Sequence, residues 1–232
     1  MTTRTTQNST RLLQKLGGAA TLVIGLWLAS PATADNPPWP GLAPALGGFQ
    51  LAFWEDIYWR WAYGGLTIPP DANGNATVGG HVVLLAIPST PGDGTPGSLD
   101  LTLKADQAFM LPLWGQLGTS YTDGTPPDPF IDVNVFKTLQ LKLTIDGVTI
   151  VDGHNLMRHY SQFLFRPPIS INSPPYQAII WFQGVGIFHE PLKAGKHVIK
   201  LDVKNTQDLP PNFGGGVVEY HNTWNVTVKC ER

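Results

Sequence analysis

The chain predicts a mainly β fold: a single β-sandwich or jelly-roll-like domain carrying one N-terminal aromatic amphipathic helix. Short apolar or alternating runs recur along most of its length, and Gly, Pro, Asn and Asp turns separate them. Past the N-terminal leader, only residues 49–63 show helical periodicity. No repeat with a period of about 20 to 50 residues is visible, which sets solenoids and propellers aside.

Residues 1–34 read as a Sec-type signal peptide. Arg4, Arg11 and Lys15 form a basic start without an acid. Residues 16–29 form an apolar stretch short for a bilayer span, and Ala32-Thr33-Ala34 supplies small residues for cleavage. The expected location is therefore secreted or periplasmic. Removing 34 of 232 residues leaves 198, enough for one well-filled domain. Three of the 15 basic residues leave with the leader, so 12 remain against 17 acids, a net charge of about −5. That balance argues against nucleic acid as a partner, because phosphate binding needs a basic footprint. No later stretch is long and apolar enough to span a membrane. Cys230 is the single cysteine, so no internal disulfide can form. By register it continues the inward face of the last strand, as a buried and inert thiol.

Residues 35–48 are a Pro/Gly-rich lead-in, with Trp39 as a docking point, and the sandwich domain occupies 49–232 with its helix at 49–63. On a helical wheel Leu51, Phe53, Trp54, Ile57, Tyr58, Trp61 and Ala62 form an apolar arc. Glu55, Asp56, Trp59 and Arg60 fall opposite, where Asp56 and Arg60 are spaced to pair. Gly64-Gly65 ends the helix. Residues 81–87 form a short apolar run that suits a strand buried on both faces. Leu99, Leu101 and Leu103 alternate with polar residues, as in a strand with one wet face. Residues 109–114 are a further short strand, weakened by Pro112. The stretch 115–129 reads as a long polar loop. Leu139, Leu141, Leu143 and Ile145 alternate, then Asp146-Gly147 turns the chain into 148–151. Residues 152–165 are ambiguous between a short helix and irregular structure. Residues 176–182, 185–189, 197–203 and 218–230 complete the strands.

No nucleophile elbow, phosphate loop or dinucleotide fingerprint is present. Asp152, His154 and His159, completed by His189 or His197, have the residue types of a zinc, copper or iron site, which would bring a divalent transition metal as cofactor. The tight His-x-His of a jelly-roll metal site is missing. Glu55, Asp56, Glu190 and Glu219 are the acids on ordered elements that a paired-carboxylate hydrolase would use, and nothing in the sequence pairs them. Trp59 on the polar side of the helix, with Trp114 and Trp39 beside loops, would offer flat indoles for stacking on sugar rings.

Trp54, Trp59 and Trp61 in the helix, the hairpin Leu143-Thr144-Ile145-Asp146-Gly147, and the turn Pro191-Leu192-x-Ala194-Gly195-x-His197-x-Ile199 occur in that order. The arrangement resembles a group of uncharacterised secreted bacterial β-sandwich proteins. The resemblance implies the fold and carries neither an activity nor a functional residue. The expected function is non-catalytic binding of a carbohydrate or cell-envelope component through Trp59, Trp114 and Trp39. The alternative is a secreted metal-dependent enzyme, hydrolytic or oxidative, built on Asp152, His154, His159 and His197.

Overall fold

The computed structural model describes residues 48–205 and 218–230. The leader, Trp39 and nearly all of the lead-in lie outside the described residues. The elements are α1 (Gly48–Ala62), β1 (Ala76–Val78), β2 (Val82–Leu84), β3 (Asp93–Lys104), β4 (Ala108–Tyr121), α2 (Val133–Lys137), β5 (Gln140–Ile145), β6 (Val148–Val151), a 3-10 turn at Leu156–His159, β7 (Tyr160–Ser173), β8 (Tyr176–His189), β9 (Gly195–Lys204) and β10 (Glu219–Lys229). They build two packed five-stranded sheets, ordered β1-β2-β4-β8-β7 and β3-β10-β9-β5-β6. Neighbours run antiparallel except β2 with β4 and β3 with β10. The mainly β sandwich with one short aromatic helix is thus the observed fold.

The layers explain the sequence patterns. The inner faces of the two sheets meet in one core, which includes Phe109, Leu111, Trp181 and Ile187 from the first sheet and Leu143, Leu201 and Trp224 from the second. The outer face of the first sheet is covered by α1, forming a second core around Tyr58, Trp59, Met110, Phe165 and Phe182. Strands β4 and β8 are therefore dry on both sides and read as continuous apolar runs. Strands β3, β5, β9 and β10 have one wet face and alternate.

Several sequence expectations need correction. The strand weakened by Pro112 is one of the longest, because β4 runs on through half of the supposed 115–129 loop. The carbonyl of Met110 accepts from Leu85 N–H, so Pro112, two residues on, turns its donor-less nitrogen past the end of β2. The next acceptor along, Leu85 O, takes its hydrogen bond from Tyr58 Oη instead. The remaining turn is pinned, since Asp128 accepts from Thr119 N–H at 2.9 Å and from the Tyr121 hydroxyl at 3.0 Å. Residues 176–189 form one strand rather than two. The ambiguous 152–165 stretch divides into the 3-10 turn and the start of β7. Helix α2 escaped notice; its N-cap is Asp132, whose side chain accepts from Asn134 N–H. Cys230 lies beyond the last ladder pair and is exposed, not buried.

The docking of α1 carries the largest correction. The buried residues are Leu51, Glu55, Ile57, Tyr58 and Trp59, while Phe53 is exposed. The helix has rolled by roughly 50° from the apolar arc, at 100° per residue. The cause lies in the sheet beneath it. Gly115, Gly184 and Ser161 sit side by side across β4, β8 and β7, with Gly186 two residues along. This strip of small residues is a trough. The Phe182 ring lies where a Cβ on Gly115 or Gly184 would be, and the Glu55 carboxyl lies 2.5 Å from a Cβ placed on Gly186. Trp59 then rests on Phe182, ring centroids 5.2 Å apart, and Trp54 stacks on Phe188 at 5.3 Å. Tyr58 Oη donates to Leu85 O at 3.0 Å, and Arg60 pairs with Asp56 at 2.9 Å on the rim.

Glu55 is therefore sealed between helix and sheet at 0% exposure. Its Oε2 accepts a hydrogen bond from Ser161 Oγ, and its Oε1 has no partner among the described residues. Burial dominates, with the Ser161 bond opposing it, and pushes the carboxyl from 4.5 up to about 8. The group is thus neutral in the folded protein at pH 7 and ionised in the unfolded chain. An acid raised on folding stabilises fully below its unfolded pKa, and that contribution is lost as pH climbs from 4.5 toward 8. The expected loss is roughly 3 kcal/mol by pH 7. Urea titrations between pH 4 and 8.5 check this: Glu55→Gln should flatten the decline and leave the variant more stable than wild type above neutrality.

Candidate functional site

Trp59 and Trp114, expected as exposed stacking rings, are 2% and 6% exposed. They nonetheless converge, because both line one cavity of ≈50 Å³ at the side of the sandwich. A bulge between Pro112 and Trp114 turns Trp114 inward, where it meets Phe136 edge-on at 5.2 Å. The chain after β2 peels from the first sheet toward the second, placing Ile87 and Pro88 on one wall and Tyr220 and Asn222 of β10 on another. Three polar atoms on this lining lack a hydrogen-bond partner among the described residues: Trp59 Nε1, Tyr220 Oη and Asn222 Oδ1. Burial pushes the Tyr220 phenol up to about 12, so it stays a neutral donor. Two donors and an acceptor around ≈50 Å³ suit a few water molecules, each needing roughly 10–15 Å³ by this measure. The space is far too small for a sugar ring. As an indole platform this site is excluded by packing, and Trp39 lies outside the described residues.

The metal-ligating candidates do not assemble. Among the described residues no group of three or more His, Cys, Asp and Glu side chains is placed to hold a metal ion. Asp152 Oδ1 accepts from the His154 N–H at 2.9 Å, a local turn that leaves the His154 ring exposed. His159 is half-buried at the end of the 3-10 turn, and burial, aided by Arg158, lowers its pKa. His197 is committed elsewhere. Its Nδ1 lies 2.6 Å from Asp146 Oδ2 and its Nε2 lies 2.7 Å from Lys193 O. Two acceptors on two ring nitrogens call for the imidazolium, and Asp146 first, then Lys193, raises its pKa accordingly. A doubly donating ring has no lone pair for a metal. The acids are dispersed as well: Glu55 is buried under α1, Asp56 holds Arg60, and Glu219 holds Lys204 at 2.8 Å and His221 at 3.1 Å.

Sequence reasoning passed over the outer face of the second sheet. Among the described elements it is the sheet face that no helix covers, and an open depression of ≈500 Å³ lies on it. The lining takes residues 100–102 of β3, 225–227 of β10 and 196–198 of β9, and strand alternation turns Asp100, Thr102, Asn225, Thr227, Lys196 and Val198 outward. Asn73, in the turn ahead of β1, borders it. Register sets the rows, with Thr227 opposite both Thr102 and Lys196, and Asn225 opposite both Asp100 and Val198. Asn225 Nδ2 donates to Asp100 Oδ1 at 2.7 Å, orienting both groups. The signal was present in the Thr/Asn/Lys positions of the alternation, and it reads as ordinary wet sheet until three strands are aligned.

Two expected outcomes follow from Trp59 and His197. Trp59→Ala should cost about 3–5 kcal/mol, a fall in melting temperature on the order of 10 °C by calorimetry. His197→Gln should lower stability most at acidic pH. The imidazolium contribution is complete below the unfolded pKa of about 6.5 and disappears as pH rises through the raised folded value, so the two urea-stability curves should converge under alkaline conditions.

No family profile and no curated protein matches this chain. A solved structure that it matches in part is the CooA pilin subunit from enterotoxigenic Escherichia coli. That pair shares 13% identity, covering 56% of this chain and 90% of the pilin, at a TM-score of 0.16, too low for the likeness to support any argument.

Proposed function

We propose that the protein is an exported, non-catalytic binding protein for carbohydrate, and that the contact surface is the outer face of the second sheet. The observation supporting this reading is the ≈500 Å³ depression lined by Asp100, Thr102, Asn225, Thr227 and Lys196. Its hydroxyl, amide and carboxylate groups are fixed in rows by strand register, and such an array can exchange hydrogen bonds with the hydroxyls of a sugar. A preorganised set of donors and acceptors loses little freedom on binding. The tryptophans among the described residues serve the core and leave recognition to polar groups.

The test is a polysaccharide panel, read by affinity electrophoresis and calorimetry. Asn225→Ala combined with Thr227→Ala should weaken binding at least tenfold, about 1.4 kcal/mol. Its thermal stability should stay within about 0.5 kcal/mol of wild type, as for ordinary surface changes. Unchanged affinity in that variant, or a wild type that binds nothing on the panel, overturns the reading.

A further inference from the structure

The charges on the same sheet face are unevenly placed. Lys104, Lys142, Lys196, Lys200, Lys204 and Lys229 all occupy outward positions of β3, β5, β9 and β10, and of the described lysines only Lys137 and Lys193 lie elsewhere. At one end of the face the charges cancel. Lys204 pairs with Glu219 at 2.8 Å, and the His221 ring sits between Asp202 at 2.6 Å and Glu219 at 3.1 Å. At the other end they do not. Lys196 and Lys229 there, and Lys200 midway along β9, make no ion pair among the described residues; the Asp100 carboxylate, which accepts from Asn225, is the negative charge set against them.

Register brings these cations close. Lys229 lies at the end of β10, directly opposite Lys104 of β3. Lys196 lies opposite Thr227, two residues back from Lys229. With strands about 5 Å apart and about 3.3 Å per residue, the Lys196 and Lys229 backbones fall roughly 8 Å apart. This basic end borders the depression, since Lys196 belongs to both. The patch stands out on a chain whose formal net charge is −2.

We propose that this face selects an acidic polysaccharide, a polymer whose sugar units carry carboxylate or sulfate groups. Lys196, Lys200 and Lys229 meet the charges, and Thr102, Thr227 and Asn225 meet the hydroxyls. The inference rests on the carbohydrate-binding reading and adds to it the class of polymer. The chemistry of the face favours this ligand over other polyanions. Sequence-tolerant binding of single-stranded nucleic acid relies on aromatic side chains for base stacking, and the outward positions of β3, β9 and β10 carry none beyond the charge-paired His221. A bilayer needs apolar side chains to insert, and on those three strands Val198 is the only exposed large one. Hydroxyl and amide groups between cations match a chain that is both hydroxylated and charged.

The experiment compares polygalacturonate (carboxylate), dextran sulfate (sulfate) and neutral dextran on the full chain, with Lys196→Gln/Lys229→Gln as the variant. The expected result is at least tenfold tighter binding to one or both acidic polymers than to dextran. That preference should shrink as NaCl rises from about 50 to 500 mM and should be lost in the variant, whose melting temperature stays unchanged. Equal affinity for neutral and acidic polymers overturns the charge selection and leaves carbohydrate binding standing. No binding to any of the three polymers by wild type removes both. Binding to DNA or to anionic vesicles as tight as to the acidic polymers shows a generic polyanion surface and overturns the assignment to polysaccharide.

Discussion

The seating of α1 in the glycine trough of the first sheet is the contact on which the rest of the structure depends. Gly115, Gly184 and Gly186 with Ser161 leave room for Phe182, Trp59 and the Glu55 carboxyl. A methyl group at any of the three glycines would meet one of those groups at van der Waals overlap. By covering the outer face of the first sheet, the helix makes β4 and β8 buried on both sides. It lets a chain with one cysteine stabilise a sandwich without disulfide cross-links. The arrangement has an energetic cost, since a carboxyl is taken out of water with Ser161 as its one partner among the described residues. The group adopts its neutral form, and stability becomes dependent on pH through a residue that faces no solvent.

Covering one sheet also settles where recognition can occur. With the first sheet enclosed between the helix and the second sheet, the large aromatics are drawn into packing. Trp54, Trp59, Trp114 and Trp181 all stack on or against other rings. The cavity between Trp59 and Trp114 is what remains where β2 peels away from β4, and it has room for water rather than a ligand ring. The outer face of the second sheet is left as a broad, ordered, polar surface. Its depression and its basic end lie next to each other because β3, β10 and β9 are locked in one register. The parallel pairing of β3 with β10 aligns Thr102 with Thr227 and Lys104 with Lys229. Those coincidences belong to the tertiary structure and to no single strand.

The histidines show how local chemistry competes with site formation. His197 and His221 each find carboxylate partners that hold both ring nitrogens or the charge of the ring, and His154 is set by an aspartate turn of its own. Each local solution satisfies a polar group at short range, and together the solutions disperse the residue types from which a metal site would be drawn.

By itself the sequence determined the mainly β fold, the N-terminal aromatic helix and its near-correct span, the Asp146-Gly147 hairpin and the wet-dry alternation of β3, β5, β9 and β10. These follow from periodicity and turn chemistry, which act over a few residues; Asp146 and Gly147 do adopt positive φ, 52° and 79°. The tertiary structure alone decided which face of the helix is buried. A helical wheel ranks side chains by polarity, whereas docking responds to the shape of the surface beneath, and three glycines from two strands made that shape. For the same reason Glu55 went inside and Phe53 out, Trp59 became core, and Pro112 proved harmless beside a strand that stops early. The polar face on the second sheet was written in the alternation of each strand, and only alignment of β3, β10 and β9 turned those residues into a surface.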